Sequence, residues 1–110
     1  MALDVRVVDD PNRDHITGFP SYQFDDHVHG YIFHGCGIDI YSKYAFLRRM
    51  IDYYADAHYT GDALDRVVAD IDDLLPQLAT HQPAVDALNA FRQICVDARV
   101  AGKSVFLLCD

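Results

Sequence analysis

Val105-Phe106-Leu107-Leu108 is the stretch on which the fold turns. It is a continuous apolar run bounded by Lys103-Ser104 and by the chain end, and it follows a long region of helical periodicity. A run of that length and content reads as a strand buried on both faces. It must then return to a sheet formed by the first half of the chain.

Working outward, the segment before it carries Val85, Leu88, Phe91, Ile94, Cys95 and Ala98 at helical spacing. Thr80 to Pro83 restarts the chain ahead of this helix, and Ala101-Gly102 ends it, with glycine as C-cap. An earlier helix carries Leu64, Val67, Val68, Ile71, Leu74 and Leu75 on one stripe. Asp62 suits its N-cap, Asp65 completes a capping box, and Pro76 ends or kinks it. A first helix is expected from the stripe Phe46, Leu47, Met50, Ile51 and Tyr54, with Arg48, Arg49, Asp52 and Asp56 off it.

The first half reads as β. Leu3, Val5 and Val7 alternate with Asp4 and Arg6, the period of a half-buried strand. A loop is expected over Asp9 to Asp14. Phe19–Phe24 and His27–His34 read as two further strands, with Asp25-Asp26 as their tight connection. His34-Gly35-Cys36-Gly37 closes the β half, since two glycines so close weaken a regular element. The expectation is an α+β, two-layer domain over residues 1–110: a mostly antiparallel sheet of about four strands with three helices on one face.

The composition excludes several functions. The chain holds 17 acidic and 9 basic residues, a formal net charge of −8, and every acid is Asp. A nucleic-acid binder needs a cationic surface, and a lipid-binding amphipathic segment is rich in Lys or Arg. No apolar run approaches the roughly 20 residues of a membrane span, and no signal segment opens the sequence. Cys36, Cys95 and Cys109 fit neither a disulfide framework nor a CxxC motif, so reduced thiols and a cytoplasmic location are expected. Cys95 reads as a small core residue, whereas Cys36 between two glycines is a conceivable exposed thiol.

Three constellations bear on chemistry. His27 and His29 share a face if they lie on a strand, a workable geometry for two imidazole ligands, with Asp25 or His15 as a third. That pair is the basis of one functional reading, a small metal-dependent enzyme or metal-binding protein; otherwise no cofactor is implied. Asp39 stands where the β half meets the first helix and reads chiefly as a cap. Asp62, Asp65, Asp70, Asp72 and Asp73 put a negative field along the second helix, with Asp25-Asp26 as a second acidic point. Such a surface steers a basic partner by long-range attraction. Tyr22, Tyr31, Tyr53, Tyr54 and Tyr59 supply interface anchors where they are exposed. The GxSxG elbow, the phosphate-cradling glycine loop and HExxH are all missing, and without Glu any acid–base work falls to Asp or His.

Gly37-Ile38-Asp39-Ile40-Tyr41, then Phe46, then helices, then an apolar strand closing in Cys109-Asp110, resembles small bacterial immunity proteins. Chains of that family often run G-x-D-x-Y…F, paired helices, and a short strand ending in Gly-Asp. This sequence has Ile40 where a proline often follows the aspartate, and Arg49 or Met50 where a glutamine is frequent. The resemblance implies a non-catalytic protein of a polymorphic-toxin or contact-dependent growth inhibition system. It would bind one cognate toxin domain, often a basic nuclease, and block its active site. The residues expected to meet that partner are Asp62, Asp65, Asp70, Asp72, Asp73, Asp25, Asp26, Tyr22 and Tyr59. An exposed edge strand leaves a homodimer open. An interaction module whose acidity reflects only its host is the third reading.

Overall fold

In the computed structural model, residues 3–9, 21–53 and 55–109 are described, with Cys109 described in backbone only. The expected loop beyond Asp9, the start of the Phe19–Phe24 strand, His15, Tyr54 and Asp110 lie outside them.

The fold is α+β, built on a four-stranded antiparallel sheet. β1 (Leu3–Val8) and β4 (Ser104–Cys109) form its centre, β2 (Tyr22–Phe24) flanks β1, and β3 (Ala57–Tyr59) flanks β4. The apolar run therefore does return to the first strand, pairing Val5 with Leu107 and Val7 with Val105. Cross-strand neighbours share a face. Leu3, Val5, Phe24, Ala57, Tyr59, Val105 and Leu107 bury one face of the sheet. The other carries Asp4, Arg6, Gln23, His58, Phe106 and Leu108, with Asp4 accepting from Gln23 Nε2 at 2.8 Å. Phe106 and Leu108 are only half-buried, so β4 is not enclosed on both faces as its composition suggested. A helix layer covers one side, and the second side keeps a polar character.

The longest helix, α4 (Gln82–Ala101), packs against β1, β2 and β4. Its Phe91 ring meets both sheet edges, 5.7 Å from Phe24 and 6.1 Å from Tyr59. α4 starts where expected, with His81 Nδ1 accepting the Ala84 N–H at 3.2 Å, and stops at Gly102 in the left-handed region. The preceding helix, α3 (Asp62–Leu74), buries Leu64, Val67, Ile71 and Leu74 against α4, and Pro76 converts its end into a tighter turn over Leu75–Leu78. Asp62 is not its N-cap. Gly61 takes that place at φ 52, ψ −126, and Asp62 and Asp65 turn outward to Arg99.

Two expectations fail in the middle of the chain. His27–His34 is not a strand but a helix, α1 (Asp26–Gly30), continued by a wider π turn over Tyr31–Gly35. Asp25 is not a hairpin residue either: its carboxylate accepts the N–H groups of His27 and Val28 at 2.9 and 3.1 Å and caps this helix. Val28, His29, Ile32 and Phe33 point inward at the spacing of a helix, a period hidden by the alternation of His with apolar residues. The stripe from Phe46 to Tyr54 is not one helix. α2 (Ile40–Lys43) ends before it begins, and among its described residues only Leu47–Met50 is helical, a single 3₁₀ turn ahead of β3. Tertiary bonds override the helical period there: Asp70 takes the N–H groups of Phe46 and Leu47, and buried Tyr59 donates to Phe46 O. The count of four strands is right, but the third is Ala57–Tyr59 rather than His27–His34.

Candidate partner-binding surface

Helices α3 and α4 form an antiparallel hairpin whose buried seam is crossed by charge pairs. Arg92 Nε meets Asp72 Oδ1 at 2.6 Å, and Arg99 reaches both Asp65 and Asp62 at 3.1 Å. Single exposed pairs contribute little to stability; the hairpin is held chiefly by the apolar residues buried between its helices, and it presents its outer side as a continuous helical face.

Along α4, Gln82, Asp86, Asn89, Gln93, Asp97 and Val100 recur at helical spacing on the side away from the sheet, and all are exposed. At about 1.5 Å per residue this ridge is about 30 Å long. It holds no cation. Among the described residues Asp86 and Asp97 accept from the neutral amides of Gln82 and Gln93, at 2.7 and 2.9 Å, and ion-pair with no cation. Val100 stands 85% exposed near its end, an apolar point among polar neighbours.

Two grooves flank the ridge. The one toward α3, about 240 Å³, is lined by Leu64, Val68, Val96 and Val100, with Asp65 and Arg99 at its rim. The one toward the sheet, about 270 Å³, is lined by Val7, Ile94, Ala98 and Ala101, with Asp97 and Lys103 among its polar residues. An apolar centre inside a charged rim is the anatomy of a protein-binding patch.

The expected contact residues are distributed unevenly over the molecule. Asp62, Asp65 and Asp72 lie on the outer side of the hairpin, well exposed. Asp70 and Asp73 do internal work instead. Asp70 Oδ2 accepts the Phe46 and Leu47 N–H groups, both at 3.0 Å, and Asp73 accepts the Tyr44 hydroxyl at 2.8 Å. Tyr59 has no exposed surface; its hydroxyl donates to Phe46 O at 2.7 Å, so it is a core residue and not an interface anchor. Tyr53 is buried likewise, and Tyr31 stacks on His81 at 3.7 Å. Tyr22 is half-buried; burial first, and then the nearby charges of Asp25 and Asp86, raise its pKa above the ordinary tyrosine value. Tyr22 and Asp25 therefore join Asp86 at the N-terminal end of the ridge, while Asp26 is exposed on the first turn of α1.

Asp86, Asp97 and Val100 were missed by sequence reading. The pattern Asp86, Gln93, Asp97 at i, i+7, i+11 is legible in the sequence, but the acids are denser on α3.

The histidine pair does not converge. On a helix, neighbours two apart diverge instead of sharing a face. His27 is exposed, whereas His29 is buried, its Nε2 donating to Met50 O at 2.6 Å within a cage of Phe24, Phe33 and Tyr53. Burial lowers the pKa of His29, so it sits neutral. With Asp25 committed to capping, His27, His29 and Asp25 are not a ligand set; among the described residues no group of three or more His, Cys or Asp could hold a metal ion. Asp39 is a cap, accepting the Ser42 N–H at 3.1 Å, and its bonds to Ser42 hold its carboxyl below the usual range. Cys36 donates its thiol to Ile32 O at 3.2 Å and is half-buried; Cys95 is buried, and burial pushes its pKa up to about 12.

Among the described residues no helix is long and apolar enough to cross a membrane. Comparison with protein-family models, with curated proteins and with solved structures gives no match.

Proposed function

We propose that the protein is a non-catalytic inhibitor that binds a basic protein domain through the outer side of the α3–α4 hairpin. This is the activity implied by the likeness to immunity proteins, with a toxin domain as the target and a basic nuclease as its chemical type. The observation that carries the reading is the α4 ridge. It is about 30 Å of helix bearing Asp86 and Asp97, which pair with no cation among the described residues, and Val100 exposed between two apolar grooves. Carboxylates held on a helix stand well where substrate phosphates would stand in a nuclease cleft. The surrounding negative field accelerates encounter with a basic surface. Asp62, Asp65 and Asp72 extend that field on the α3 side, and Tyr22 with Asp25 extends it at the opposite end.

The test is co-purification of the untagged protein with the products of the genes adjacent to its own, a toxin-like one first if present, followed by titration calorimetry. The expected result is a one-to-one complex whose affinity falls as salt rises and which Asp86→Asn/Asp97→Asn weakens. Affinity indifferent to ionic strength, or unchanged in that double variant, would reject this surface. Absence of any complex with those products, or with another basic protein captured from the host, would reject the activity.

A further inference from the structure

We propose that the corner around Phe46 is a second docking surface, one that takes an acidic, carboxylate-bearing segment of a partner protein. In a chain with such an excess of Asp, cations are expected to find carboxylates within the molecule. Arg6, Arg92, Arg99 and Lys103 all do. Arg48, Arg49 and Arg66 do not; among the described residues none of them ion-pairs with an acid.

These three lie instead on aromatic faces. The Arg49 guanidinium is 4.6 Å from the Phe46 ring centroid and 5.6 Å from that of Tyr59. Arg66 reaches the same Phe46 ring from α3, at 5.5 Å. Next to them Arg48 lies 4.9 Å from Tyr41, a ring that is 57% exposed. Two guanidiniums within 6 Å of one ring repel each other, and the ring quadrupole offsets only part of that repulsion. Stacking fixes the planar forks while leaving N–H donors for carboxylates. Asp70 is committed to the backbone of Phe46 and Leu47, and Asp56 lies with Ala57 and His58 along the groove beside Arg49.

A short acidic segment suits this patch better than a nucleic acid. The chain's net charge of −8 opposes an extended polyanion, whereas a few carboxylates meet the local cations inside a screening length of about 8 Å. The inference stands apart from the α4 ridge and does not rest on the toxin-binding reading.

The experiment measures fluorescence anisotropy of a labelled oligoglutamate peptide against the intact protein. Expected are saturable, salt-sensitive binding, about tenfold weaker in Arg49→Gln/Arg66→Gln, and a change of no more than about twofold in Arg6→Gln/Arg92→Gln. Circular dichroism verifies that each variant is folded. Should the first pair fail to fold, Arg48→Gln on the exposed Tyr41 gives the same readout. No saturable binding, equal losses in both pairs, no loss in Arg48→Gln, or tighter binding of a single-stranded oligonucleotide of equal charge would each overturn the proposal.

Discussion

Asp70 on α3 accepts the backbone N–H of Leu47 at 3.0 Å, from 23 residues further along the chain. The same oxygen takes the Phe46 N–H, so one carboxylate does for the 3₁₀ turn Leu47–Met50 what an N-cap residue does for a helix. Asp70→Ala leaves two donors without their partner and is expected to cost about 1–3 kcal/mol in urea unfolding. Asp70→Asn keeps an acceptor oxygen and should recover part of that. A cost below a few tenths of a kcal/mol would show that the bond is dispensable.

His29 makes stability depend on pH. Burial lowers its pKa in the fold below that of the unfolded chain, near 6.5. The neutral ring donates to Met50 O, and protonation would place a cation among Phe24, Phe33 and Tyr53. Above pH about 6.5 both states are neutral at this site and nothing is lost. As pH falls below that value the unfolded chain gains a proton first, so stability drops by up to about 1.4 kcal/mol per pH unit from this group. His29→Gln, which keeps a donor, should flatten the difference in unfolding midpoint between pH 7 and pH 5 relative to the wild type. An unchanged difference would assign the effect to other groups.

The parts of this fold that the sequence discloses are those where a single period runs long enough to dominate. α4 and α3 follow from repeating apolar residues, and β1 with β4 from alternation and an apolar run. Around Phe46 the apolar spacing is equally helical, but Asp70 and Tyr59 bind backbone groups of that segment from afar, and no local pattern encodes such bonds. β3 has three residues, too few for a period. For the surface, composition disclosed the excess of negative charge but not its division of labour. Asp70 and Asp62 look alike in sequence; one is spent on backbone donors and the other faces solvent beside Arg99.

Gly61 and Gly102 are both in positive φ, yet they should respond differently to substitution. Gly102, at φ 71, ψ 25, is in the left-handed region that asparagine tolerates. Gly61, at φ 52, ψ −126, is in territory that only glycine occupies readily, and a Cβ there would meet no atom within 4 Å. Its constraint is therefore conformational strain and not crowding. Gly61→Asn is expected to cost about 1–3 kcal/mol, and Gly102→Asn less than about 1 kcal/mol, compared by thermal unfolding. Equal costs at the two sites would contradict this assignment.

The five aspartates of α3 should separate into two classes under neutralisation. Asp62, Asp65 and Asp72 hold exposed pairs with Arg99 and Arg92, so Asp62→Asn, Asp65→Asn and Asp72→Asn should each change stability by less than about 1 kcal/mol. Asp73→Asn acts on a bond to the Tyr44 hydroxyl, a ring that is itself buried, and Asp70→Ala acts on two backbone donors. These two should lower stability more than they slow association with a basic partner. The exposed three should do the opposite, slowing association at low salt with little effect at high salt, because long-range attraction is screened there. Stopped-flow association at two ionic strengths, set beside urea unfolding of the same variants, measures both properties at once. If all five variants moved both properties together, the acidity of α3 would act as a single undivided field, and the distinction between structural and partner-facing carboxylates would fall.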